Sequence, residues 1–274
     1  MAEGGSYSAI TVINPITGEK RDLPPVPTTT RYWDPFRTHG KYSFGYHPIT
    51  DQYKVVHIPR APRQVVDAVQ VFTLGDASWR TVPVTMVCSS YDLSSGAVNI
   101  DGSTYWLSAF ADRVMALDLD GESVTSFCVA LQARRRASFA QDGWQLTNIH
   151  GRLGVVVTGF TIQVKEVWVL EEGRGDQSRW SKRYKLPVQI GRWPGRWIMT
   201  PHLMHGGEYI LSQSRDMLDH GSCSWGRIRL FRHKVGGQNG QLVPLDAAEL
   251  AMSAEEGYGE LETFEYVETL DLLP

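Results

Sequence analysis

The feature that most constrains this chain is a succession of short apolar runs separated by tight-turn signals. Asp101-Gly102, Asp120-Gly121, His150-Gly151 and Gly206-Gly207 each stand between two such runs. A two-residue hairpin turn of this kind needs positive φ at both central positions, which Gly adopts at no steric cost. Asn14-Pro15-Ile16-Thr17-Gly18 joins Ser8–Ile13 to Glu19–Leu23, and His47-Pro48-Ile49-Thr50-Asp51 joins Tyr42–Tyr46 to Tyr53–Ile58. In such turns Pro presets φ and the following residues close the reversal. The same punctuation pairs Val69–Leu74 with Trp79–Val84, Ala97–Ile100 with Thr104–Ser108, and Val114–Leu119 with Ser123–Leu131. It continues with Trp144–Ile149 and Leu153–Val157, Lys165–Leu170 and Trp180–Leu186, His202–His205 and Tyr209–Ser212, and Arg227–His233 and Gln241–Leu245. Glu262–Leu272 is the last run. Only Asp246–Glu256 has helical character, with Asp246 placed to cap it and Glu249 three residues on.

A weak internal repeat overlies this pattern. Val71-Phe72-Thr73-Leu74 followed by Trp79-Arg80 matches Val167-Trp168-Val169-Leu170 followed by Trp180. Asp101–Leu107 matches His205–Leu211 at a similar offset. Repeated four-stranded units of this kind predict an all-β, β-propeller-like fold of short antiparallel sheets. A β-sandwich is the runner-up, but roughly twenty short strands exceed what one immunoglobulin-like sandwich uses. Tryptophans at hairpin ends (Trp79, Trp106, Trp144, Trp168, Trp180 and Trp225) are expected to pack between sheets.

Composition narrows the function. The 274 residues carry a formal charge of −3, so no overall basic surplus exists to hold a nucleic-acid backbone. No apolar run is long enough to span a membrane and no signal peptide is visible. Three scattered cysteines, Cys88, Cys128 and Cys223, suit free thiols in a reducing compartment. A cytoplasmic or nuclear location is expected.

The ordered motifs resemble a known family. Asn14-Pro15-Ile16-Thr17-Gly18-Glu19 with Leu23-Pro24 resembles the opening of the F-box-associated domain of plant F-box proteins. Phe44-Gly45-Tyr46-His47-Pro48 with Asp51–Val56, and Val71–Gly75 with Trp79-Arg80, are similar to the segments that follow it. So are Gly96–Leu107, Lys165–Leu170 with Trp180, and the closing Tyr266-Val267-Glu268-Thr269-Leu270. The resemblance runs over nearly the whole chain and implies a single kelch-like F-box-associated β domain over residues 1–274. It implies a protein-recognition module like the substrate-binding part of Skp–cullin–F-box ubiquitin ligase receptors. The helical F-box pattern that recruits the Skp-type adaptor is not seen ahead of these motifs, so binding of the adaptor is not expected of this chain.

No catalytic site is expected, and no cofactor. The chain has no Gly-x-Ser-x-Gly elbow and no Gly-x-x-x-x-Gly-Lys phosphate loop. A propeller-type hydrolase built from distant loops, or a scaffold without a ligase role, are the competing readings. His202 and His205 lack a third partner at metal-ligand spacing, so no metal site is predicted. Arg134-Arg135-Arg136 reads as a solvated loop. The partner is expected to be a protein. Its contact residues are expected in two Pro- and Arg-rich loops, through Arg31, Tyr32, Trp33 and Phe36 in one and Arg192, Trp193, Arg196 and Trp197 in the other. Trp, Tyr and Arg dominate interface hot spots because they bury large area and carry directional donors.

Overall fold

The computed structural model describes residues 10–27 (except 15), 40–59, 67–84, 91–108, 113–129, 144–158, 164–172, 178–187, 198–205, 209–215, 228–234 and 242–244. Every described element is a β-strand, eighteen in all. The chain divides into two compact units between Ser126 and Phe127.

In the first unit, β1 (Thr11–Ile13) and β2 (Lys20–Asp22) form a hairpin. Two four-stranded antiparallel sheets follow. One runs in the order β3 (Lys41–His47), β4 (Gln52–Ile58), β5 (Ala68–Thr73), β6 (Arg80–Pro83). The other holds β7 (Tyr91–Ile100), β8 (Ser103–Ser108), β9 (Arg113–Asp118) and β10 (Ser123–Cys128), again in sequence order. In the second unit β11 (Trp144–Ile149), β12 (Arg152–Thr158), β13 (Val164–Glu172) and β14 (Arg179–Pro187) repeat this arrangement. They are followed by β15 (Ile198–His205), β16 (Tyr209–Arg215), β17 (Ile228–Lys234) and β18 (Leu242–Pro244). The two sets join where β11 meets β15 in parallel at Asn148 and Leu203. The fold is therefore all-β, built from up-and-down four-stranded sheets, as the turn pattern predicts. The repeated sequence segments take equal places. Val71–Thr73 and Val167–Leu170 lie on the third strands, β5 and β13, Asp101–Leu107 runs from the first reversal into β8, and Tyr209–Leu211 lie on the corresponding second strand, β16.

Successive side chains point to opposite faces of a strand, and the inner strands β5 and β8 are buried on both. On one face of the β3–β6 sheet, Val56, Ile58, Val69, Val71 and Val82 pack with Trp106, Met115, Leu117 and Leu119 of the neighbouring sheet. On the other face, Val55, Phe72, Leu74 and Trp79 pack with Leu23, and the partly buried Ile10, Val12 and Val26 flank them. The hairpin and the two sheets thus form three successive layers. Trp79, Trp106 and Trp144 are buried, as expected of inter-sheet tryptophans. Trp168 and Trp180 are half-buried, and Trp225 lies outside the described residues.

Asp101 (φ 47°) with Gly102 (φ 70°) and His150 (φ 52°) with Gly151 (φ 72°) adopt the paired positive φ their sequences predict. Two local readings change. Asp120-Gly121 is not a two-residue reversal. The turn spans residues 119–122 and its left-handed residue is Glu122, at φ 43°. β7 is longer than the Ala97–Ile100 run, because it resumes across a register shift between Asp92 and Ala97 that Gly96 accommodates at φ 75°. The Asp246–Glu256 helix and the Glu262–Leu272 strand fall outside the described residues.

Candidate recognition surface

Arg31, Tyr32, Trp33, Phe36, Arg192, Trp193, Arg196 and Trp197 all lie outside the described residues. What the structure does position is a rim where four turns of the first unit come together. Lys54 pairs with Thr73 across β4 and β5, and the Leu74 amide donates to the Tyr53 carbonyl at 2.9 Å. The β3–β4 and β5–β6 turns therefore share one edge. The β7–β8 turn joins them because the His47 ring lies against Gly102, where an added Cβ would sit 2.8 Å from the ring. The Leu119 amide donates to the Gly102 carbonyl at 2.9 Å, which brings in the β9–β10 turn.

The β3–β4 turn is braced from within. His47 is buried, and its Nδ1 accepts from the Thr50 amide at 3.2 Å. Asp51 closes the reversal at φ 55° and accepts from the Tyr46 hydroxyl at 2.7 Å. Ile49 at the tip is 86% exposed. The β1–β2 turn uses the same device. The Asn14 side chain accepts from the Ile16 and Thr17 amides at 2.9 and 3.3 Å, Gly18 takes φ 72°, and Ile16 is exposed. Behind Ile49, Tyr46 leans on Tyr53, with ring centroids 5.1 Å apart, and Phe44 stacks on Tyr53 at 5.5 Å.

A charged clasp stands beside this turn. Glu122 accepts from Arg80 through Nε at 3.0 and 3.1 Å and through Nη2 at 2.6 Å, and from Lys54 at 3.1 Å. Lys54 is only 5% exposed, and its Nζ also donates to the Leu119 carbonyl. Arg80 further donates to Asp76 and, at 2.6 Å, to Thr73. The hydrogen bonds from Arg80, ahead of those from Lys54, hold the Glu122 carboxyl below its ordinary range. Glu122 first, and Asp76 after it, raise the Arg80 guanidinium in turn. Lys54 and Arg80 are thus both occupied by carboxylate partners. Sequence reading missed this clasp. Lys54, Arg80 and Glu122 are far apart in the chain, and only the stacking of the two sheets unites them.

The comparisons with known proteins bear on what such a surface serves. The family described as the F-box associated beta propeller domain matches residues 2–219. The chain belongs to this family. Among its relatives, the putative F-box protein At1g53550 of Arabidopsis thaliana is 29% identical over 198 residues, covering 68% of this chain and 46% of that protein. The putative F-box protein At1g26515 of the same plant is 28% identical over 220 residues, covering 76% of this chain and 56% of that one. The F-box protein At1g47340, also of Arabidopsis thaliana, is 26% identical over 218 residues, 76% of this chain and 42% of the relative. The F-box associated domain thus spans about half the length of the curated relatives it matches. Among the described residues, no helix is long and apolar enough to cross a membrane.

Proposed function

We propose that this F-box associated domain is a protein-recognition module that holds targets for a Skp–cullin–F-box ubiquitin ligase. The observation that carries the reading is the family match over residues 2–219, together with relatives named as F-box proteins. The architecture suits the role, because rigid antiparallel sheets hold turns whose side chains are free to vary. Residues 1–274 act as one domain, non-enzymatic and without a cofactor, in the cytoplasm or nucleus. Recruitment of the Skp-type adaptor belongs to an F-box and not to this domain.

The two Trp- and Arg-bearing loops, residues 31–37 and 192–197, are proposed as target contacts. The test is affinity capture of targets from plant extract, followed by measurement of target lifetime when the protein is depleted. Trp33→Ala and Trp193→Ala are expected to weaken capture about thirtyfold at an unchanged melting temperature. A melting temperature lowered by many degrees identifies the tryptophan as core. Targets that are neither captured nor longer-lived on depletion would overturn the reading.

A further inference from the structure

We infer that the turn rim of the first unit docks an extended basic segment carrying an apolar side chain, with Ile49 as the anchor point; this deepens the target-recognition reading above and rests on it. The first observation is apolar. Ile49 is the most exposed large hydrophobic side chain among the described residues, at 86%, and Tyr46 below it is 42% exposed. Both sit at a turn that is braced by hydrogen bonds. The turn is fixed by His47 on the inside, by the Tyr46–Asp51 hydrogen bond and by the left-handed Asp51. A turn braced before binding loses little backbone freedom when a partner covers it.

The second observation is charge, and it selects the occupant. The four turns that meet at this rim carry Asp51, Asp76, Asp101, Asp120 and Glu122, and Asp118 ends the strand that enters the last of them. Among the described residues the cations at the rim are Lys54 and Arg80, both bound to Glu122, and Arg80 also to Asp76. Six carboxylates against two cations leave a formal −4 among the described residues of this rim. Carboxylates thus outnumber cations, among the described residues, on the turns that meet beside Ile49. A partner covering Ile49 brings its flanking residues over Asp101 and Asp120, where Lys or Arg is favoured and Asp or Glu is repelled. An apolar anchor with a charged surround is the usual division of labour in an interface, the centre giving affinity and the rim giving register and on-rate.

The test uses the full chain and three fluorescein-labelled peptides, of alternating Lys and Leu, Lys and Ser, and Glu and Leu, read by fluorescence anisotropy. The Lys–Leu peptide is expected to bind, and the other two to bind at least tenfold more weakly, on the order of the loss of one anchor or of the charge match. Ile49→Ser should weaken the Lys–Leu peptide about tenfold without moving the melting temperature. Asp101→Asn with Asp120→Asn should weaken it about threefold at low salt and flatten its salt dependence. Asn is used because it tolerates the positive φ at position 101. Equal binding of the Glu–Leu peptide, or full affinity in Ile49→Ser, overturns the proposal. So does capture of natural targets that survives all three substitutions, and that outcome leaves the target-recognition reading standing.

Discussion

At the residue scale, close approach explains more than propensity does. Gly45 on β3 faces Asn99 on β7, and an added Cβ would overlap the Asn99 amide group. Asn99 is itself held by its bond to Thr104 Oγ1 at 3.1 Å, so it cannot yield without losing that partner. Gly45→Ala is therefore expected to lower stability by about 2 kcal/mol, in the range of core overpacking. Asn99→Ala should restore part of the loss, because the two changes share one contact and so do not add. Denaturant unfolding of the two single variants and the double variant measures this coupling, and strict additivity would refute the contact. Glu122 offers a second test at this scale. Its folded carboxyl titrates below the unfolded value, so its contribution is present above the unfolded pKa and is lost as pH falls through the folded one. Glu122→Gln should cost about 1–2 kcal/mol near neutral pH, since Lys54 stays buried with a weaker partner. The gap in melting temperature between the native protein and Glu122→Gln should then close as pH falls from about 6 to about 3. A gap that stays constant with pH would show that the clasp contributes through shape and not through charge.

At the element scale, the β1–β2 hairpin depends on its neighbour. A two-stranded hairpin is marginal in water by itself. Here it is covered from below by Phe72, Leu74 and Trp79, and the Trp79 indole N–H donates to the Pro24 carbonyl at 2.8 Å. Phe72 and Trp79 add a tilted ring contact at 5.3 Å. Trp79→Phe keeps most of the apolar area and removes the hydrogen bond. It should speed amide hydrogen exchange in residues 11–22 several-fold while leaving β8 and β9 protected, because local opening draws on the least buried elements. Uniform loss of protection across the first unit would show that the hairpin and the sheets open together. His57 on β4 illustrates the opposite case. Burial, only partly opposed by its hydrogen bond to Gln70, lowers its affinity for a proton, and Gln70 is fully buried beside it.

At the scale of the whole molecule, β1 and β2 form a sheet of two strands where the other sets have four. Exposed strand edges are a liability that propellers relieve by pairing strands from both ends of the chain. The run Glu262–Leu272 is proposed to serve that purpose, although it lies outside the described residues. Deletion of residues 262–274 should lower the melting temperature by many degrees and broaden the transition. Differential scanning calorimetry of the intact chain should show one cooperative transition if residues 1–274 act as a single domain, and an unchanged transition after the deletion would refute the pairing.

The sequence by itself determined the strand content, the all-β class and most of the reversals. Those depend on local rules: short apolar runs bounded by turn residues, and positive φ at Asp101-Gly102 and His150-Gly151. Its motif order also pointed to the right family. Where a turn is shaped by a long-range contact, local rules fail. Asp120-Gly121 opens into a longer turn because Glu122 is drawn onto Arg80 and Lys54 from another sheet. The same reason governs the rim. Ile49 and Asp51 are neighbours of Asp101 and Asp120 only because His47 packs on Gly102 and Leu119 bonds to it. Which turns share an edge is a property of stacked sheets, and stacking is set by which faces are buried together, a choice that no single segment of the chain contains.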